Sequence, residues 1–257
     1  MTGPLHGVKV LDFTEVIAGP LAGRLLAEMG ADVIKVEPPW GDPWRMTQRF
    51  MPTESRSFIT YNRGKRSLPL DLTKPDAQDI IRRLIPKMDV ALANYRPDVA
   101  KKLGVDYETL AESNPRLIYC QLTAYGRNGP DSHRPGYDMI LQAMTGMIAA
   151  ENKTIGGVPQ WVWSSPLIDT VSGFCMAWSI CATLYAREHT GRGQKVETSL
   201  LASAVALLGS RFLQVESLDQ EVRSKALEEI AAKRAASAPF DELVALSPGS
   251  RRVPYHG

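Results

Sequence analysis

Residues 8–37 read strand, helix, strand within about thirty residues, and this unit limits the fold more than any other feature. VKVLDF (8–13) is apolar and β-branched, as a strand covered on both faces must be. Gly19-Pro20 then opens a helix whose apolar positions are Leu21, Leu25, Leu26 and Met29, and Gly30 closes it. DVIKVE (32–37) is the next strand. Two strands joined by a helix pair in parallel through a right-handed crossover. The pattern recurs with a helix over 74–87, a strand over 88–94, a short helix from Pro97 and a strand over 117–123. A helix over 137–150, weakened by Gly146, precedes a long apolar helix that opens at Asp169. The turn T-G-R-G-Q hands that helix to a strand over 196–200, followed by an apolar helix to Val215. The alternation predicts an α/β fold with a mainly parallel sheet.

Two stretches read as loops: 38–63, rich in proline, tryptophan and polar residues, and 126–136. Loops as long as the first are usually functional in compact domains. Phe174, Trp178, Cys181 and Tyr185 share one face of the Asp169 helix, whose rear is also small or apolar, so burial on most sides is expected. Beyond Glu216 the chain turns charged and alanine-rich, as a solvated helix does. The domain reading is therefore 1–215 as a large domain and 216–257 as a helical linker leading into a second, smaller one.

Composition narrows the function. A formal net charge of +2 gives no reason to expect nucleic acid as a partner. No apolar run is read as reaching the length of a membrane span, and the first residues do not resemble a secretory signal. Cys120, Cys175 and Cys181 fall inside predicted elements without metal spacing, which suggests reduced, buried thiols and a cytoplasmic chain. The histidines (His6, His133, His189, His256) are scattered, so no metal site is expected.

The first strand–turn–helix imitates a dinucleotide fingerprint, but its turn, A-G-P-L-A-G, lacks the three glycines of that motif. Its geometry is the useful part, because open α/β sheets bind ligands beyond the carboxyl ends of their strands. The loops there carry Arg45, Arg63, Lys65, Arg66, Asn94-Tyr95-Arg96 and Lys102. Cations mixed with aromatics and amides suit a phosphorylated nucleotide. Asp169 stands apart as a carboxylate at a helix N-terminus, where negative charge is favoured, with Gly173 one turn on. It suits either capping or nucleophilic attack on a carbonyl.

VLDFTEVIAGP, GADVIKVEPPWGD, NRGKRSLPLDL, NYRP, the aspartate before the long helix and TGRGQKV together resemble the family III CoA-transferases, a group that includes a racemase of α-methylacyl-CoA. The match runs in order from Leu5 to about Leu208. The resemblance implies a Rossmann-like large domain, a smaller second domain and a dimer of interlocked chains. It implies that Asp169 is the catalytic aspartate and that acyl-CoA and a small carboxylic acid are the substrates, with no metal and no cofactor beyond CoA. It also implies that Ala18, Leu70, Asp71, Asn94, Tyr95, Arg96, Lys102, Tyr125 and Gly126 line the CoA site, with Arg45 and Arg66 adding charge. Formyl-CoA transferases carry glutamine where Ile17 stands, so formyl and oxalyl substrates are less expected, and arginine where Pro38 stands, which removes one candidate contact to the nucleotide.

The implied reaction passes through an aspartyl anhydride and an aspartyl-CoA thioester. Racemisation at an acyl α-carbon is the alternative. Racemases of this group use a His-Asp pair after glycine, where this chain has Gly136-Tyr137-Asp138, and tyrosine is a poor base at neutral pH. Trp40, Trp44, Trp161 and Trp163 are candidates for an acyl pocket, and Arg127, His133 and Arg134 for holding a dicarboxylic acid. Family members are longer, so a truncated or non-catalytic CoA-binding chain, or half of a split enzyme with a complementary C-terminal chain, is a further alternative.

Overall fold

A computed structural model describes residues 3–246, apart from 152, 163, 164 and 214. Trp163 and the 254–257 segment therefore lie outside the described residues. The chain divides into two compact units, Met1–Gly136 with Asp169–Leu200, and Tyr137–Ile168 with Leu201–Gly257.

In chain order the first unit begins β1 (Lys9–Asp12), α1 (Ala18–Glu28) and β2 (Asp32–Glu37). Then come a hairpin of β3 (Arg49–Met51) and β4 (Glu54–Ser55), α2 (Arg56–Asn62), β5 (Arg66–Pro69), α3 (Pro75–Leu84) and β6 (Val90–Ala93). α4 (Pro97–Lys102), α5 (Tyr107–Ser113) and β7 (Ile118–Thr123) follow. α6 (Asp138–Met144), α7 (Met147–Glu151), β8 (Thr154–Ile155) and β9 (Val158–Pro159) belong to the second unit. α8 (Leu167–Thr190) and β10 (Lys195–Ser199) return the chain to the first. From Leu201 on the chain belongs to the second unit again, with α9 (Leu200–Leu208), α10 (Glu216–Ala235) and α11 (Phe240–Ala245).

Six strands form one sheet in the order β10-β7-β6-β1-β2-β5, every pair parallel. This is the strand order of the doubly wound dinucleotide-binding fold. β6 is buried along its whole length, because parallel strands are covered on both faces. Leu11, Phe13, Ile81, Ile85, Leu110, Leu117 and Tyr119 form the core on one face.

The structure corrects the sequence reading at several points. The stretch 38–63 is not a bare loop, since it holds a 3-10 turn (Pro43–Met46), the β3–β4 hairpin and α2. β5 and α5 were not anticipated. The helix read over 137–150 breaks at Gly146, which adopts φ 78°, into α6 and α7. α8 does reach the length and composition of a membrane span, with a mean hydropathy of 1.5 over its most apolar window. Its rear is used inside the protein: Ser172, Met176, Ile180 and Arg187 are buried, and Arg187 pairs with Asp89 at 2.9 Å. Its aromatic face is open, with Phe174 55%, Trp178 76% and Tyr185 70% exposed, against the expected burial. The period marks a face correctly but does not tell what covers it. Cys120 is buried and burial pushes its thiol up to about 12, whereas Cys175 and Cys181 are half-buried and all three are free.

Candidate active site

β1 lies between β2 and β6, so the sheet is extended outward from β1 in both directions. The crevice beyond the carboxyl ends of β1 and β6 is where such sheets bind ligands. Two short segments meet there. Asn94, directly after β6, donates from Nδ2 to the Glu15 carbonyl at 2.8 Å and accepts the Glu15 N–H at 3.0 Å. Asp12 accepts the Thr14 N–H at 2.9 Å. Pinned on both sides, the turn holds Val16 at φ 74°, a left-handed conformation that a β-branched residue avoids. Ala18 then opens α1.

Asp169 lies in the first turn of α8, half-buried. Burial raises the Tyr61 phenol above its ordinary value, the Asp169 carboxylate pushes the same way, and the Arg24 guanidinium opposes both. One turn on, Gly173 fixes how closely α8 and α1 approach. A Cβ there would meet the Ala18 carbonyl oxygen at 2.7 Å and Leu21 Cβ at 3.0 Å. The start of α1 thus fills the space beside Gly173, which brings Ala18 to the turn of α8 that follows Asp169. Gly173→Ala is expected to cost about 1–3 kcal/mol, since the atom in the way is backbone. A lowered unfolding midpoint in urea checks this, and an unchanged midpoint refutes the packing described.

Most of the cations read as nucleotide contacts are engaged by the protein. Arg45 forks onto Glu37, with Nε and Nη2 each 2.7 Å from a carboxylate oxygen, and its third nitrogen reaches Glu54 at 2.9 Å. Its guanidinium also stacks 3.6 Å over Phe58. The Glu37 hydrogen bonds outweigh burial and raise its pKa. Arg66 stands at the first residue of β5, the amino end, and pairs with Asp32, so it points to the wrong edge of the sheet for this crevice. Arg63 pairs with Glu28. Lys65 is buried and reaches Asp12 at 2.7 Å, the Pro20 carbonyl at 2.8 Å and Asn62 at 2.9 Å.

Leu70-Asp71, Asn94–Arg96 and Tyr125-Gly126 follow the carboxyl ends of β5, β6 and β7. Leu70 and Asp71 follow β5, and Asp71 accepts from the Thr73 hydroxyl and N–H, which hold its carboxyl below the ordinary value. Tyr95 is half-buried, and its phenol is raised by burial first and by Glu15 next. Arg96 is exposed and pairs with Asp98 at 3.1 Å. Tyr125 is buried, and Gly126 at φ 88° makes the turn after β7. Lys102 is exposed at the last residue of α4. A cleft of about 230 Å³ lined by Lys101, Tyr107, Gln121, Arg127, Lys195 and Glu197, among others, includes none of the predicted CoA contacts, and of the predicted acid-holding residues it includes Arg127. Of the acyl-pocket candidates, Trp40 is 74% exposed and Trp44 is half-buried. Arg127 and Arg134 pair with Glu197 and Asp131.

The family described as "CoA-transferase family III" matches residues 5–247. The chain belongs to CoA-transferase family III. This family III chain is 38% identical over 93% of its length to "Acetyl-CoA:oxalate CoA-transferase" of Acetobacter aceti, of which it covers 60%. It is 36% identical over 81% of its length to "Succinate--glutarate CoA-transferase" of Agrobacterium fabrum, covering 54% of that protein. Among solved structures, Rv3272 of Mycobacterium tuberculosis superposes with a TM-score of 0.76 at 40% identity, over 82% of this chain and 59% of that one. A CAIB/BAIF family protein from Brucella suis gives 0.74 at 34% identity, over 82% of this chain and 56% of that one. The family III chain thus spans a little over half the length of these relatives.

Sequence reasoning missed the buried polar set beneath the crevice. Lys35 lies 2.8 Å from Asp42, both side chains sealed from solvent, and donates to the Thr14 carbonyl at 2.6 Å. Burial raises the carboxyl of Glu15, in the pinned turn, and Asp42 adds to the rise. A signal was present: Lys35 interrupts an apolar strand, and a charge inside a parallel strand needs a buried partner.

Proposed function

We propose that this chain moves CoA from an acyl-CoA donor to a free carboxylic acid, with Asp169 as the group that carries the acyl and then the thiol. The observation that carries the reading is the place of Asp169, in the first turn of a helix set against the start of α1 by Gly173. Relatives named as acetyl-CoA:oxalate, succinate–glutarate and cinnamoyl-CoA:phenyllactate CoA-transferases support it. None of those quoted names points to racemisation, and Tyr137, in the slot a racemase fills with histidine, is 61% exposed.

In the proposed sequence an Asp169 oxygen attacks the thioester carbonyl. The C–S bond breaks, CoA leaves as thiolate, and a mixed anhydride forms. The thiolate attacks the aspartyl carbonyl of that anhydride, releasing the donor carboxylate and leaving an aspartyl-CoA thioester. The acceptor carboxylate attacks the same carbonyl and expels the thiolate, which then takes the acceptor acyl group and restores Asp169. Each exchange passes on an activated acyl bond, so the sequence balances without an added energy source, and the proposal includes neither a metal nor a cofactor beyond CoA. The site must hold a weak nucleophile aligned and away from water. Ala18, the 70–71 and 94–96 segments, Lys102 and the 125–126 turn are the proposed CoA contacts. Ile17, 8% exposed, brings an apolar side chain where a polar one would suit a formyl or oxalyl group.

The test is a panel of acyl-CoA donors and carboxylic acids followed by mass. A new CoA thioester, together with hydroxylamine trapping of an adduct at Asp169, supports the reading. Hydrolysis alone, or no product with any pair, overturns it.

The proposal extends to a homodimer. The open face of Phe174, Trp178 and Tyr185 on α8 is the surface a second chain would cover, and large aromatics are favoured in such contacts. Trp178→Glu is expected to shift the sedimentation coefficient from dimer to monomer. A parent that sediments as a monomer refutes the dimer.

A further inference from the structure

The second unit contains a buried side-chain relay aimed at the start of α8. Asp138 opens α6 and is 7% exposed; Gln142, one turn on, is fully buried on the same helix face. One Asp138 oxygen accepts the Ile168 N–H at 2.7 Å, and the other accepts from the Gln142 amide nitrogen. The Gln142 carbonyl oxygen accepts the Val162 N–H at 2.9 Å. Three donors and their acceptors are matched in a space with little water to replace any of them.

Ile168 is the second residue of α8, and its N–H is one of the amides a helix leaves without a partner in its own backbone. The acceptor is supplied from another helix. Gln142 fixes that acceptor and itself accepts the Val162 N–H. The residue bonded to Ile168 is Asp169.

We propose that Asp138 and Gln142 are positioning residues that fix the first turn of α8 and so the direction of the Asp169 carboxylate. The idea deepens the transferase reading and rests on it. It also gives the Gly136-Tyr137-Asp138 triplet a role in this chain other than proton transfer. The Asp138 carboxylate acts as an acceptor for a helix amide. A misplacement on the order of 1 Å at the reacting group costs about a hundredfold in rate.

The relay can be rebuilt with its charge moved. Asp138→Asn alone sets a donor against a donor: if the Gln142 amide turns to accept from the new one, its own nitrogen faces the Val162 N–H. Gln142→Glu alone sets two carboxylates face to face. The double variant D138N/Q142E restores these three hydrogen bonds. Its new amide accepts from the Ile168 N–H and donates to the new carboxylate one turn on, which also accepts from the Val162 N–H. Each single variant is expected to lower kcat at least thirtyfold, with KM for acyl-CoA within threefold. The double variant is expected to recover at least tenfold over the weaker single one. Amide hydrogen exchange across 165–172 is expected to speed at least tenfold in both single variants and to slow again in the double. If D138N/Q142E is no better than D138N in exchange and in rate, the positioning role is wrong. If exchange is rescued and rate is not, the Asp138 carboxylate has a direct chemical part and the proposal is overturned as stated. A parent chain without transferase activity would sink the functional reading alone, because the exchange data still decide whether the relay holds the start of α8.

Discussion

Asp169→Asn is expected to lower CoA transfer by about 10⁴-fold or more while leaving the affinity for an acyl-CoA within threefold. The asparagine fills the same volume in the first turn of α8, so the helix and its contact with α1 at Gly173 are retained. The proposed chemistry is lost, because a neutral amide oxygen is a far poorer nucleophile and cannot become an anhydride or a thioester. A factor of 10⁴ corresponds to about 5.5 kcal/mol of transition-state stabilisation, the scale expected when a covalent route is removed rather than distorted. The measurements are initial rates with any active donor–acceptor pair, the dissociation constant of the donor, and hydroxylamine trapping. An adduct in the parent and none in the variant fits the proposal. Turnover by the asparagine variant near the parental rate would mean that Asp169 only caps its helix, as aspartates in that place commonly do.

The strands of the central sheet were legible because parallel strands must be apolar along their length, and residues 32–37 matched to the residue. β5 was not, since Arg66-Ser67-Leu68-Pro69 carries a charge and a proline, which an edge strand tolerates and a central one does not. The destinations of the cations were hidden for another reason. A sequence shows that Arg45, Lys65 and Arg66 are positive, but their partners Glu37, Asp12 and Asp32 lie 8, 53 and 34 residues away. Only the fold decides whether an arginine ends at a ligand or at a carboxylate of the same chain. The aspartate at the start of α8 became a candidate through resemblance. Local chemistry alone left capping and catalysis side by side, and the outside acceptor for the Ile168 amide was invisible, because Asp138 is 30 residues upstream on a helix of its own.

Beneath the crevice, the expected effect is on stability. Asp12→Ala removes the carboxylate that faces Lys65 at 2.7 Å and accepts the Thr14 N–H at 2.9 Å. It leaves the side chains of Lys65 and Lys35, 2% and 1% exposed, with Asp42 as the remaining ion-paired carboxylate. Breaking a buried pair from one side costs about 3–5 kcal/mol, since the stranded charge keeps its desolvation penalty. Asp12→Ala/Lys65→Met removes both charges and is expected to be less destabilised than Asp12→Ala alone. The pH dependence follows from the same contacts. Burial would raise Asp12, but Lys65 and Lys35 outweigh it and the net shift is downward. On acidification the unfolded chain therefore takes up that proton first. The stability Asp12 contributes is present above the ordinary carboxylate range and is lost as pH falls toward its lowered folded value. For Lys65, burial outweighs Asp12 and brings the ammonium down to about 8, so between there and its ordinary value of 10.5 the unfolded chain holds more protons and stability rises with pH. Urea midpoints for the three proteins from pH 3 to 10 test both limbs. A double variant as unstable as Asp12→Ala would show that the carboxylate matters through Thr14 and the turn at Val16, and not through the ammonium it faces.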